Sequence, residues 1–280
     1  MSLADLFETT EFERVATGLQ FTEGPVWHPE GYLLFSDIPA NTIHRLEPDG
    51  ALSVWRQPSG NSNGLTFDRQ GRLVACEHGN RQVSVTAPDG NPQPLATHYQ
   101  GQRLNSPNDV VVRSDGSVYF TDPPYGIQEA QRELPFNGVF RIAPDGALHL
   151  LADDFGRPNG LAFAPDESVL YVDDSERRQI RAFDVAADGG LANGRLWADM
   201  ASPDAGSPDG MKVDSLGNVY CTGPGGLWVF TPEAHCLGVL KGPEQPANLA
   251  FGGPDLRTLY ITARTSLYTL RTRVPGIAVF

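Results

Sequence analysis

The chain has 280 residues, a net charge of −13, and 40% hydrophobic, 20% charged and 9% aromatic residues. A chain this long buries enough surface to fold without disulfide or metal staples, and its acidity argues against nucleic-acid or anionic-membrane partners. Its 30 Gly and 23 Pro make about 19% of the residues against ~12% in average usage, which excludes long helices and leaves many short strands joined by turns.

Residues 1–13 carry acids where a secretory signal needs a basic and then an apolar stretch. No apolar run approaches the roughly 20 residues of a spanning helix. Cys76, Cys221 and Cys236 are odd in number and lack CxxC spacing. They read as reduced thiols of a cytoplasmic protein and give no support to a structural zinc site.

A repeat begins at residue 22. The segments Thr22-Glu-Gly-Pro-Val-Trp-His, Ser62-Asn-Gly-Leu-Thr-Phe-Asp, Pro107-Asn-Asp-Val-Val-Val-Arg, Pro158-Asn-Gly-Leu-Ala-Phe-Ala, Pro208-Asp-Gly-Met-Lys-Val-Asp and Ala247-Asn-Leu-Ala-Phe-Gly-Gly share one shape. Each has a polar residue, usually a Gly or other turn-tolerant residue, and then a short apolar run. Second strands are expected at 32–36, 72–76, 117–121, 169–172, 218–222 and 258–262. Third strands follow at 42–46, 82–86, 138–142, 179–183, 226–230 and 266–270, and Pro-Asp-Gly at Pro48, Pro88 and Pro144 favours tight reversals. The polar position recurs at Glu23, Asn63, Asn108, Asn159, Asp209 and Asn248, at intervals of 40, 45, 51, 50 and 39 residues. That is the length of a four-stranded propeller blade. The expected fold is therefore all-β, one six-bladed propeller over residues 1–280 with a central channel. Residues 12–19 are expected to close the ring against the last blade, and residues 123–136 and 185–200 to form insertions. A TIM barrel would need eight helical stretches, and none is visible.

Inner strands line a propeller's channel, so the six polar residues should form one ring. At any single position a turn-starting Asn or Asp is an adequate account, most of all at Asn63 and Asn248. Six oxygen donors in register, two of them acids, fit a hard divalent cation better, because facing acids repel unless compensated. The histidines show no ligand spacing. His78, in Cys76-Glu-His-Gly-Asn-Arg81, stands where a strand meets a loop, and Arg103 and Asn105 precede Pro107-Asn108 on a loop from which they could reach a polar ligand. There is no Gly-x-Ser-x-Gly elbow and no phosphate-binding Gly-rich loop.

Glu23-Gly-Pro-Val-Trp, Ala75-Cys-Glu-His-Gly-Asn-Arg, Arg103-Leu-Asn-Ser-Pro-Asn-Asp-Val-Val-Val-Arg-Ser-Asp-Gly, Tyr119-Phe-Thr-Asp-Pro-Pro-Tyr-Gly and Pro208-Asp-Gly-Met-Lys-Val-Asp together resemble the SMP-30/gluconolactonase/luciferin-regenerating family, its bacterial gluconolactonases most. The likeness spans nearly the whole chain. It implies a sugar-lactone hydrolase with one divalent cation, Ca²⁺ first and Mg²⁺, Zn²⁺ or Mn²⁺ as alternatives. By the same resemblance Glu23, Asn159 and Asp209 fall on metal-ligand positions, with Asn108 on a substrate- or metal-contacting one. Asp209 is the expected general base, and Asn108, Asn105, Arg103 and His78 would contact the sugar. Animal members carry an Arg two residues before the equivalent of Asn108, where this chain has Ser106; Arg103 or Asn105 would take over that contact. An aryl-ester or organophosphate hydrolase and a non-catalytic interaction propeller are the competing readings.

Overall fold

The structure, a computed structural model, describes residues 1–86 and 90–279. It consists of six four-stranded antiparallel blades arranged as a β-propeller. The first four run through Thr22–His28 to Leu52–Arg56, Ser62–Phe67 to Gln93–Ala96, Val110–Val112 to Leu148–Ala152, and Pro158–Phe163 to Leu191–Asp199; the fifth spans Met211–Val213 to Cys236–Leu240. The sixth takes Asn248–Gly252, Thr258–Ala263 and Ser266–Arg271, and its outer strand is Glu13–Thr17 from the other end of the chain. The six inner strands touch in sequence, and the first touches the last, so the ring is closed. Helix is confined to the turns Leu3–Leu6 and Glu129–Gln131 among the described residues, and no helix is long and apolar enough to cross a membrane.

The apolar residues divide into six clusters, one between each pair of neighbouring blades. Val26, Leu34 and Ile43 of the first blade meet Leu65, Phe67 and Leu73 of the second. Trp27, Leu33 and Phe35 on the first blade's other face meet Ala250 and Leu267 of the sixth. Every blade therefore buries both faces, which explains the dense apolar second strands that made the repeat visible. The Pro-Asp-Gly reversals at Pro48 and Pro144 close as tight turns whose glycines, Gly50 and Gly146, both have φ of 86°; the one at Pro88 lies outside the described residues.

Two expectations change. Residues 185–200 are not an insertion but mostly the fourth strand, Leu191–Asp199. Its Ala, Asn and Gly sit on the outer edge of a blade, where five consecutive residues are exposed and no apolar alternation is required. The second strands of the first four blades also run further than expected, to Asp37, Glu77, Asp122 and Asp174. All four acids are buried. In three of them the carboxylate accepts two consecutive backbone N–H groups: Asp37 from Gln20 and Phe21 (3.0 Å each), Asp122 from Asn105 and Ser106 (2.7 and 2.8 Å), and Asp174 from Gly156 and Arg157 (2.7 and 2.9 Å). The second donor always stands two residues before a ring residue: Glu23, Asn108 or Asn159.

Asp174→Asn leaves one of those donors facing an NH₂ group. An unsatisfied buried N–H costs about 1–3 kcal/mol, so urea unfolding should show a loss of that size and the thermal midpoint should fall by several degrees. A variant as stable as wild type would show that the clamp contributes nothing.

Candidate functional site

Each ring residue is one of the first two residues of an inner strand or, for Asn108 and Asp209, stands two residues before it. Register shifts sit beside it in three blades, between Glu23 and Val26, Ser62 and Leu65, and Pro158 and Leu161. Such bulges turn a side chain away from the regular pleat. Five of the six are buried, and Asp209 is half-buried. Glycine follows the ring residue in four blades because the neighbouring inner strand is too close for a Cβ: one added at Gly160 would lie 2.1 Å from the Asp209 carbonyl oxygen, and one at Gly210 would lie 2.0 Å from Asn248 Cγ.

The ring is a hydrogen-bonded chain. Asn63 Nδ2 donates to Asn108 Oδ1 at 2.7 Å, and His78 Nε2 lies 3.2 Å from the same oxygen. Asn108 Nδ2 donates to Asn159 Oδ1. Asn159 Nδ2 donates to Ser175 Oγ (3.1 Å), which itself donates to the Pro208 carbonyl (2.6 Å). This sequence fixes every amide orientation and leaves the second lone pair of Asn159 Oδ1 available. Across the ring, Glu23 Oε2 accepts from Gly24 N (2.7 Å) and Asn248 Nδ2 (3.0 Å).

Glu23, Asn159 and Asp209 line one cavity of about 860 Å³, together with Asn108, His78 and Asn63. Burial pushes the Glu23 carboxyl up to about 7, with Asp109 adding to the rise. Burial also drives Asp209 well above the usual carboxylate range, with Glu23 and then Asp109 adding. His78 is pushed down to about 4 by burial, so it stays neutral at ordinary pH. Asn159 lowers Asp209 through a side-chain hydrogen bond, which its Nδ2 must donate; two desolvated, mutually repelling carboxylates with a carboxamide between them suit a hard divalent cation. Among the described residues, no three His, Cys, Asp or Glu side chains gather as metal ligands; here the third donor would be the carboxamide of Asn159.

Of the residues expected at the site, Glu23, Asn108, Asn159, Asp209 and His78 meet in this cavity, whereas Arg103 and Asn105 do not line it. Asn105 Nδ2 is used by the carbonyls of Asp122 (3.0 Å) and Phe136 (2.9 Å), and Arg103 Nη2 by the carbonyl of Asn80 (2.8 Å). These bonds tie both side chains to neighbouring loops outside the cavity, while Arg103 Nε and Asn105 Oδ1 keep no partner among the described residues. Two charged residues near the ring were missed. Asp109 and Asp173 are fully buried, each with one carboxylate oxygen lacking a partner (Oδ2 and Oδ1), and burial raises both. Asp109 stands where four blades have Gly, the one signal that could have revealed it. A second cavity, about 490 Å³ at the far end of the inner strands, is lined by residues such as Val111, Phe163 and Phe251 and contains no ring residue.

These features define a propeller with an oxygen-donor site in its channel. The SMP-30/gluconolactonase/LRE-like family profile matches residues 21–265. A gluconolactonase of Zymomonas mobilis is 36% identical, covering 96% of this chain and 83% of the relative. A pentonolactonase of Haloferax volcanii is 30% identical over 89% of this chain and 83% of its own. The solved structure of a gluconolactonase from Xanthomonas campestris superposes with a TM-score of 0.89 at 35% identity, covering 96% of this chain and 92% of that one. The chain belongs to the SMP-30/gluconolactonase/LRE-like family.

The raised Glu23 carboxyl sets a pH dependence. In the cation-free protein the folded state keeps this proton up to about pH 7, whereas the unfolded chain loses it near 4.5. The resulting stabilisation is complete below pH 4.5 and disappears as pH rises through 7. Between pH 4.5 and 8, with a chelator present, wild type should lose about 3 kcal/mol relative to Glu23→Gln. Parallel urea-unfolding profiles for the two proteins would refute the assignment.

Proposed function

We infer that the protein is a lactonase, a carboxylic ester hydrolase, and propose that it opens a sugar lactone to the open-chain aldonic acid in the Glu23–Asn159–Asp209 cavity. The observation that carries this is the pairing of two desolvated carboxylates with an oriented amide oxygen in one cavity. The gluconolactonase and pentonolactonase relatives point to the same substrate class.

Glu23, Asn159 and Asp209 would hold the cation, with Ca²⁺ the first choice for three oxygen donors and Mg²⁺, Zn²⁺ or Mn²⁺ as alternatives. When bound, it would polarise the lactone carbonyl and stabilise the negative charge that develops on its oxygen. Asp209, made more basic by burial, accepts a proton from the attacking water, and the water oxygen bonds to the carbonyl carbon. As the ring C–O bond breaks, the same proton passes to the departing ring oxygen. Asn108 and His78 would bind ring hydroxyls; the neutral imidazole lies 3.2 Å from Asn108 Oδ1, which supports their acting together.

The test is lactone hydrolysis by protein stripped with a chelator and then reloaded with each cation, alongside Asp209→Asn. Chelation should abolish turnover and reloading should restore it. Asp209→Asn should lower kcat by about 10²–10⁴-fold, the usual contribution of a general base, while still showing cation-dependent thermal stabilisation through its amide oxygen. Full activity after chelation would exclude the cation, and near-normal kcat in Asp209→Asn would exclude the base.

A further inference from the structure

Arg157, Arg178 and Arg264 all line the cavity that contains Glu23 and Asp209, in a chain whose net charge is −13. Little on the protein neutralises them. Arg157 Nε lies 3.6 Å from Glu176 Oε2, but both side chains are more than half exposed (52% and 62%), so the pair is weak. Arg178 Nη1 donates to the Ser202 carbonyl (2.7 Å), which leaves its charge unpaired. Arg264 makes no side-chain hydrogen bond or ion pair among the described residues. Among the described residues, Glu176 is the one acid on the wall besides Glu23 and Asp209, and His78 is neutral.

The backbone gives no reason for these arginines. Asn41, Arg81 and Arg178 occupy the last position of equivalent four-residue turns, with φ of 55°, 52° and 53°. Asn suits that left-handed conformation better than Arg does. Arg81 has a visible task, since its Nε donates to the carbonyls of Leu104 (2.8 Å) and Asn105 (3.1 Å). Arg264, with φ of 44°, begins the two-residue turn between Ala263 and Ser266, and no protein group engages its guanidinium.

We propose that the lactone opened here is anionic, bearing a carboxylate, sulfonate or phosphate on the carbon remote from the reacting carbonyl, and that Arg264 and Arg178 bind that group while Arg157 attracts it. This deepens the lactonase reading and rests on it. Guanidinium forks bind such anions bidentately with charge-assisted bonds. The carboxylate produced by hydrolysis forms at the carbon beside Glu23 and Asp209, so it does not account for cations on the wall. A local positive wall also draws an anion to a protein whose net charge would repel it.

The experiment compares kcat/KM, at low ionic strength and with the cation supplied, for gluconolactone and for counterparts carrying 6-phosphate, 6-sulfonate or a terminal carboxylate. At least one anionic lactone should be preferred tenfold or more, and 0.5 M KCl should reduce the preference. The member of the series preferred identifies the anion. Arg264→Gln should lower the anionic-to-neutral ratio at least tenfold, mainly through KM, and Arg264→Lys should restore part of it. A purely structural Arg264 would leave that ratio unchanged. Equal kcat/KM for neutral and anionic lactones in wild type overturns the anion assignment and leaves the lactonase reading standing. Hydrolysis of no lactone by the cation-loaded protein overturns both.

Discussion

Six inner strands converge on one axis, and the space between them is the constraint on which the rest of the molecule depends. At Gly160 and Gly210 a single added carbon would collide with the next blade. Backbone therefore forms much of the channel wall, and about one side chain per blade can turn toward the axis. Most of those side chains are buried before any ligand arrives, so they must find partners among the others. Asn63, Asn108, Asn159 and Ser175 do so in one directed chain of hydrogen bonds. Glu23 and Asp209 share the same confinement but carry like charges, and confinement makes those charges expensive.

The acids at the ends of the second strands turn this crowding into precise placement. Asp37, Asp122 and Asp174 each grip two N–H groups just ahead of Glu23, Asn108 and Asn159. Charge-assisted bonds of this kind contribute about 1.5–3 kcal/mol each. At Asp122 burial still prevails, since the carboxyl is pushed up to about 7 despite two N–H donors and nearby Arg81 and Arg132. At Asp122 the clamp therefore stabilises less than its two bonds alone would. What it secures is the direction of a ring side chain, which a bulged strand start would otherwise leave free.

The ring was legible in the sequence because it obeys the repeat: one oxygen-bearing residue per blade, each beside a short apolar run. The clamping acids obey the repeat too, but an Asp or Glu ending an apolar run looks like a turn signal. Only the burial of Asp37, Asp122 and Asp174 shows that they belong to the strands. Arg103 and Asn105, expected near the ligand, lie off the cavity for a related reason. Polar residues on a loop before a ring position can serve the loop or the ligand, and the choice depends on where the carbonyls of Asn80, Asp122 and Phe136 lie. Those carbonyls are far away in sequence. Arg178 and Arg264 sit in turns with no motif around them, so only the closed ring brings them to the same cavity.

Charge along this cavity is separated rather than paired. Glu23 and Asp209 lie with Asp109 and Asp173 near the axis, and the arginines stand elsewhere on the wall. Among the described residues no arginine or lysine forms an ion pair with any of those four acids. Lys212 is the main influence lowering Asp109 but acts only weakly on Glu23. An arginine placed against Glu23 would have relieved the repulsion, but it would have occupied the carboxylate oxygens that a cation needs. Leaving the acids uncompensated gives them two ways to lose charge, a proton or a divalent cation, and at neutral pH the raised Glu23 and Asp209 carboxyls put those two in direct competition. A cation must displace these protons, so its binding would strengthen as pH rises and the two carboxylates become free to accept it. The destabilising feature of the cation-free channel is therefore what would make it a receptive site.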